Sequence, residues 1–558
     1  MTHNSGLLIL SNVLHKQKLA TVFKFASGLV RQKLFVTLPH SNANVGYWKT
    51  AVSLCYTAAS EACPLLDVRF LLPFSTIIAN PLHFDVVLSQ FSDLELAHTL
   101  AVQLDPSYKS EIRLTSVENQ VGSDDSQCDS VDTHRASPVR GTFSHVCLGG
   151  TFDRLHNGHK ILLSIGGLLA TDQLLVGITT AAMLRRKQLA PLILSWDRRS
   201  EEVECFLCDI GLDKSRFCVV ELNDAFGPPA VRSEFQCIVT SDEVVKTCKQ
   251  LNKIRQAKGF QSLAIEKIDF VSDARPIDHQ VPSDLCESKL SSSTVRFHLL
   301  GTLLRPANPQ GWSRRGARSP YVIGLAGPSG AGKSALARRL AGLSSAVHVI
   351  DCDRLGHEAY VPGTECHQRL LDHFGRDLVA SADPPFPIDR ARLGRLVFSD
   401  PARLKELNAI VWPEIECRVH ERLVELESTA VREELSNSVS IRRPVVVLDA
   451  AVLLQAKWDE MCDEVFCGVM PKSEAERRIL ATYHHIDATV EHCERLERQA
   501  TAIAEATGGM DWWSAGQLDK NVGPVGRAHV VLSTQWEPEC TQKQVERAFR
   551  SLCNRIPL

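Results

Sequence analysis

The first 60 residues contain no aspartate or glutamate. In their place stand Lys16, Lys18, Lys24, Arg31, Lys33 and Lys49, set among apolar runs such as GLLIL and LATVFKFASGLV. An acid-free, basic, amphipathic stretch suits a mitochondrial targeting or membrane-surface segment. It equally suits a divergent globular extension, because residues 34–38 and 66–72 read as strands. The chain also lacks an apolar run long enough to cross a bilayer. Nor is there a bulk excess of either charge: the formal net charge is −3, which gives no electrostatic ground for nucleic-acid binding. No secretory signal is read in the sequence, so the 18 irregularly spaced cysteines are expected to be reduced, intracellular thiols rather than a disulfide framework. The CxxC of Cys205 and Cys208 has no second pair at zinc-site spacing and falls within a helical pattern, which favours two half-buried side chains over a metal or redox site.

What is present is ordinary in amount. Hydrophobic residues make up 44% and charged residues 23% of 558 positions, as in soluble globular proteins, and the length predicts two or three domains. Residues 117–140 are polar, rich in Ser and Asp, and too poor in apolar side chains to offset the entropy of ordering, so they read as a linker. Residues 301–319, dense in Gly, Pro and Arg, mark a second break. After each break comes an apolar strand, a glycine-rich turn and a helix, followed by alternating strands and helices. That pattern predicts parallel sheets with right-handed crossovers. No internal repeat is visible. The expected organisation is an N-terminal region over 1–116, with any targeting or surface segment in 1–40, then a linker over 117–140. An α/β domain over 141–300, a linker over 301–319 and a second α/β domain over 320–558 follow.

The first α/β block opens HVCLGGTFDRLHNGHK. A strand should run into the Gly149–Gly150 turn, and a helix should begin near Asn157. His156 and His159 then fall at its first turn, where free backbone N–H groups and the dipole favour anions. Gly158 between them lets a phosphate approach closely. The segment resembles the signature of the HxGH nucleotidyltransferases. KLSSSTVR, residues 289–296, is similar to the element that closes the ATP site in phosphopantetheine adenylyltransferases; alone, it would be read as a helix N-cap. The resemblance implies catalytic roles for His156, His159 and Arg296. It implies ATP contacts at Gly149, Gly150, Thr151, Phe152, Gly158, Ser292, Ser293 and Thr294, and it makes Lys187 and Arg199 partners of the acceptor phosphate. Where animal relatives carry a Lys-Gly-Gly turn, this chain has VVKTCKQLNKIR, keeping Lys246, Asn252 and Arg255 without the double glycine.

The second block opens YVIGLAGPSGAGKS. Gly327, Pro328, Ser329, Gly330, Ala331 and Gly332 form a loop whose N–H groups can converge on phosphates. Lys333 reaches the β- and γ-phosphates, and the Ser334 hydroxyl is available to Mg2+. Asp351 and Asp353 close a second strand; one can accept the proton of an attacking hydroxyl, while Asp351 can equally cap the next helix. The later segments IDRARLGRLVFSD and RLERQ resemble dephospho-CoA kinases, which makes Arg495 and Arg498 lid residues over ATP. Ser533 and Thr534 replace the Asn-x-Gly of bacterial kinases, and Gln455 stands where Glu is common.

With the order of the blocks and the C-terminal segment, the chain is similar to the bifunctional coenzyme A synthases of animals. The resemblance implies two doubly wound parallel-sheet α/β domains, a Rossmann-like HxGH nucleotidyltransferase and a P-loop kinase, after a divergent N-terminal region. It further implies ATP, 4′-phosphopantetheine and dephospho-CoA as substrates and Mg2+ as cofactor, while the basic N-terminal stretch adds the expectation of a cytoplasmic or mitochondrial location with peripheral membrane contact. Two rivals are a cytidylyltransferase joined to another small-molecule kinase, and a binding scaffold with one inactive domain.

Overall fold

The computed structural model describes residues 2–10, 16–39, 44–73, 81–90, 94–109, 112–114, 142–184, 187–275, 280–328, 330–381, 384, 386–398, 400–437, 443–483 and 523–556. The linker expected at 117–140 lies outside them, as do Ser329, Arg495 and Arg498. The chain divides into two compact units, one holding residues 1–190, 194–276 and 286–295, the other 191–193, 277–285 and 296–558.

The first unit contains two five-stranded parallel sheets where one was expected. Sheet one comprises β1 (His3–Ile9), β2 (Val30–Thr37), β3 (Asp67–Phe70), β4 (Val86–Ser89) and β5 (Ile112–Leu114), in the order β3-β2-β1-β4-β5. Its helices are α1 (Lys16–Leu29), α2 (Val45–Ala62) and α3 (Leu94–Leu104). Residues 3–37, within the stretch that suits either a targeting segment or a globular extension, therefore form β1, α1 and β2. Side chains on β1 alternate as a strand demands: Leu8 and Leu10 enter the core shared with α1 and α2, while Leu7 and Ile9 pack on the face covered by α3.

Sheet two comprises β6 (Phe143–Gly150), β7 (Ala170–Thr179), β8 (Phe217–Leu222), β9 (Cys237–Ser241) and β10 (Ala264–Ile268), in the order β10-β9-β6-β7-β8. Helix α4 (Asn157–Leu169) crosses from β6 to β7. The strand order is that of sheet one, and so is the register. The pairs His3↔Val30 and Ser5↔Lys33 of β1 and β2, with an irregularity between them, recur 140 positions on as Phe143↔Ala170 and His145↔Gln173 in β6 and β7, with the same irregularity. Over β1, α1 and β2 the identical pairs at this offset are Leu8/Leu148, Leu29/Leu169, Leu34/Leu174 and Val36/Val176. All belong to or pack against one hydrophobic core, which the two sheets share through α2 and α4. The internal repeat absent from the sequence reading is thus present in the fold. Over these three elements only core positions retain identity, and scattered leucines and valines are too common to reveal a repeat by eye.

The second unit contains β11 (Tyr321–Ala326), β12 (Val347–Asp351), β13 (Val445–Asp449), β14 (Glu464–Val469) and β15 (Val530–Ser533), ordered β12-β13-β11-β14-β15. β11 is buried along its whole length, as the central strand of a doubly covered parallel sheet must be. Residues 301–319, marked by composition as a break, are stitched to this unit. The Gly301 and Leu304 amides donate to Val531 and His529 carbonyls, and Trp312, 2% exposed, donates its amide to the Met461 carbonyl. Buried Asp463 accepts from the Ser313 hydroxyl at 2.5 Å and the Val322 amide at 2.8 Å.

Candidate active sites

Strand β6 delivers Gly149 and Gly150 to the mouth of its sheet, and the chain then makes a strained turn. Phe152 and Arg154 adopt left-handed φ values of 49° and 50°, costly for side chains with a Cβ. Two side chains hold that turn. Asp153, fully buried, accepts from the Leu194 amide at 3.1 Å and from the Arg154 guanidinium at 2.9 Å. Arg199 donates to the carbonyls of Thr151 (2.6 Å), Thr179 (2.8 Å) and Leu194 (2.9 Å). Arg199, expected to meet the acceptor phosphate, has its guanidinium buried and bonded to these backbone carbonyls. Lys187 is exposed on the loop beyond residue 184.

Helix α4 begins at Asn157 as expected, with His156 as its N-cap. The His156 side chain makes no capping bond; the helix start keeps its backbone donors for other partners. The rings of His156 and His159 stack at 3.8 Å with a 25° tilt, and Phe152 lies 5.1 Å from His159. Burial pushes His156 well below the usual imidazole range, and the neighbouring His159 and Lys160 reinforce this. His156 is therefore a neutral hydrogen-bonding group at neutral pH, rather than the cation that charge neutralisation would require. A side chain on Gly158 would press on the His156 ring at 3.2 Å, and the Leu290 carbonyl would lie 3.9 Å from it. The SSST segment is thereby placed beside the histidines. Ser291 and Thr294 cap one another, with Thr294 N to Ser291 Oγ at 3.2 Å and Ser291 N to Thr294 Oγ1 at 2.8 Å. The capping role open for this segment is thus real at Thr294, while Ser292 and Ser293 start the helix Ser292–Phe297, on which Arg296 is buried. A cavity of about 410 Å3 reaches His156, Asn157 and Leu290 on one side and Ser60, Asp67 and Arg69 on the other.

In the second unit the loop after β11 turns on glycine. Gly327, Gly330 and Gly332 have φ of 133°, 80° and 74°, values open to glycine at little cost. Lys333 opens the helix Lys333–Ala341 and lies across the loop, donating to the carbonyls of Gly327 (3.1 Å) and Pro328 (3.3 Å). Burial lowers its pKa, opposed by Asp449 and Asp353. Ser334 is exposed beside it. Asp351 caps the helix Cys352–Ala359 through the Arg354 amide at 2.9 Å, so of the two readings open for Asp351 the cap is the one realised. For Asp353, loss of hydration, then Asp351 and Asp449, raise the carboxyl above its ordinary value, against Lys333 and His357.

Asp449 is the functional candidate missed in the sequence. It ends β13, in register with Leu325 of the loop strand and Asp351 of β12, where a carboxylate can serve a metal bound to phosphates. Its signal was a carboxylate directly after the apolar run VVVL. Thr534, which departs from the bacterial pattern, donates its hydroxyl to the Ala331 carbonyl at 3.0 Å and so ties the loop to the end of β15. Asn252 and Arg255, retained from the animal pattern, are structural. Asn252 bonds both backbone groups of Leu263, and Arg255, fully buried, donates to the carbonyls of Gln261, Ser233 and Phe235 among others.

Comparison with known proteins follows this division. Residues 147–297 match the family described as cytidylyltransferase-like, and residues 321–507 match dephospho-CoA kinase. A phosphopantetheine adenylyltransferase of Saccharomyces cerevisiae is 33% identical over 30% of this chain and 52% of its own length; the chain thus spans about half of that relative. Dephospho-CoA kinases of Carboxydothermus hydrogenoformans and Idiomarina loihiensis are 31% and 34% identical, over 29% and 33% of this chain and 69% and 77% of their own lengths. At the level of families, the expected order of a nucleotidyltransferase-type domain followed by a dephospho-CoA kinase domain is borne out. Through residues 321–507 the chain belongs to the dephospho-CoA kinase family, joined on one polypeptide to a cytidylyltransferase-like domain.

Proposed function

We propose that the chain carries out the last two steps of coenzyme A synthesis. The phosphate of 4′-phosphopantetheine attacks the α-phosphorus of ATP, giving dephospho-CoA and pyrophosphate; a second ATP then phosphorylates the ribose 3′-hydroxyl. The observation that carries the first step is the stacked histidine pair at the start of α4, beside the SSST segment. A phosphate nucleophile is already anionic, so this site needs no base. His156 and His159 supply N–H donors to the triphosphate, with Ser292, Ser293 and Arg296 as further phosphate partners, and Lys187 meets the acceptor.

For the second step, Lys333 grips the transferring phosphoryl group and Asp353, raised in pKa, accepts the hydroxyl proton. The exposed Ser334 hydroxyl and the Asp449 carboxylate are hard oxygen donors, which suit Mg2+; bound there, it would neutralise phosphate charge. The arrangement of domains supports the animal type. The basic surface at Lys18 and Lys24, beside Phe25 at 45% exposure, supports peripheral contact with an anionic membrane such as the mitochondrial one, tested by co-sedimentation with cardiolipin vesicles.

Chromatography of the products from 4′-phosphopantetheine, ATP and Mg2+ tests the reading: coenzyme A should accumulate after a transient of dephospho-CoA. His159→Ala should slow only the first reaction and Lys333→Ala only the second, each by about 100-fold or more. Either change stopping both reactions in folded protein would refute two independent sites.

A further inference from the structure

The N-terminal sheet repeats the strand order and register of the nucleotidyltransferase sheet but not its phosphate-binding residues. At the 140-residue offset, Gly149 and Gly150 correspond to Ile9 and Leu10, and His156 and His159 to Lys16 and Leu19. A second nucleotide site of the same kind is therefore excluded. The repeat instead grips the first turn of α4. That turn contains Gly158 and has no side-chain cap of its own, so its placement depends on outside contacts. Four are supplied by the repeat. Asn157 Nδ2 donates to the Tyr56 carbonyl at 3.2 Å and to Ser60 Oγ at 2.8 Å. Lys160 Nζ donates to Asp67 Oδ1 at 2.6 Å and to the Val68 carbonyl at 3.0 Å. Asn157 and Lys160 flank Gly158 and His159, and both are buried.

The acceptors are themselves fixed. Tyr56, Ser60 and Asp67 belong to α2 and the start of β3, and the Phe70 amide donates to the Tyr56 hydroxyl at 3.0 Å. Asp67 also accepts from Arg69 Nε at 3.0 Å, and Arg69 and Lys33 both pair with Asp209, on the helix Trp196–Asp209 of the nucleotidyltransferase sheet. Ion pairs thus cross between the repeats in both directions. Burial alone would raise Asp67, yet Lys160 and Arg69 hold it below the ordinary carboxylate range, as expected of a pair ionised in the fold.

We infer that residues 2–114 are a degenerate copy of the nucleotidyltransferase fold that serves as a platform for its active site, with Asp67 and Ser60 as positioning residues that set the His159-bearing turn through Lys160 and Asn157. This rests on the adenylyl-transfer reading above. A reacting group displaced by about 1 Å can lose on the order of 100-fold in rate, so the effect belongs in kcat.

The test is steady-state adenylyl transfer by the full chain and its Asp67→Asn, Ser60→Ala and Asp85→Ala variants. Asp85 is the comparison: it accepts the Asn4 and Ser5 amides, both at 2.9 Å, and so braces β1 within the repeat. Expected are a roughly 10- to 100-fold fall in kcat for Asp67→Asn and a smaller fall for Ser60→Ala, which removes one hydrogen bond and leaves the fold intact. KM for ATP should stay within about twofold, and phosphorylation of dephospho-CoA should not change. Asp85→Ala should lower the unfolding temperature while sparing kcat. If kcat of both Asp67→Asn and Ser60→Ala matches the parent, or if all three variants lose activity in proportion to stability, the platform is refuted. If the parent chain itself transfers no adenylyl group, the functional reading fails instead.

Discussion

At the residue scale, Asp353 shows how position decides chemistry. An exposed aspartate is ordinarily ionised well below neutral pH and makes a weak base. Here loss of hydration and two neighbouring aspartates raise it, while Lys333 pulls the other way. A base works only unprotonated, so kcat/KM for phosphorylation should rise with pH through a limb lying above the ordinary carboxylate range. Asp351→Asn should move that limb to lower pH: asparagine keeps the helix cap and removes one of the like charges that raise Asp353. A pH–rate profile of the kinase half-reaction checks this, and an unmoved limb would take the titration away from Asp353. His156 runs in the opposite sense, its charged form disfavoured by burial and by its neighbours.

At the scale of elements, two short loops carry most of the function, and their glycines are not equivalent. A Cβ at Gly327 would sit 2.5 Å from the Gly468 carbonyl, whereas one at Gly332 would meet nothing closer than an Arg478 nitrogen at 3.9 Å. Gly327→Ala combines a backbone clash with strain and should cost about 3 kcal/mol or more. Gly332→Ala carries the left-handed strain alone, about 1–2 kcal/mol. Thermal unfolding should rank the two in that order, and adenylyl transfer should survive both. The strand–glycine turn–helix units were legible because apolar strands, glycines and polar helix starts follow one another within some 20 residues of sequence. The packing of residues 301–319 was not, since a Gly- and Pro-rich stretch looks alike whether it spans solvent or covers a sheet. Partners 140 or more residues on, Asp463 and the carbonyls of Met461, His529 and Val531, decide between them.

At the scale of the whole molecule, the two proposed reactions share one chain while each draws its chemistry from its own sheet. Full-length His159→Ala and Lys333→Ala proteins, mixed in equal amounts, should together make coenzyme A from 4′-phosphopantetheine. Their lag should shorten as enzyme concentration rises, because dephospho-CoA must diffuse between molecules that a fused chain keeps at high effective concentration. No product from the mixture, with each half-reaction intact alone, would show that the sites depend on one another. Local sequence by itself determined the β6–α4 and β11–loop–helix units, the histidine pair, the phosphate loop with Lys333, and hence both families, because the chemistry needs these groups within a few residues of each other. Tertiary structure alone decided that residues 2–114 repeat the nucleotidyltransferase fold, that Arg199 serves backbone carbonyls, and that Asp449 and Asp67 stand beside the two sites. Those placements depend on strand order and on contacts made after folding, from the bonds of Arg199 to Thr151 and Thr179 to that of Lys160 to Asp67 across 93 positions, and short-range pattern carries no record of such contacts.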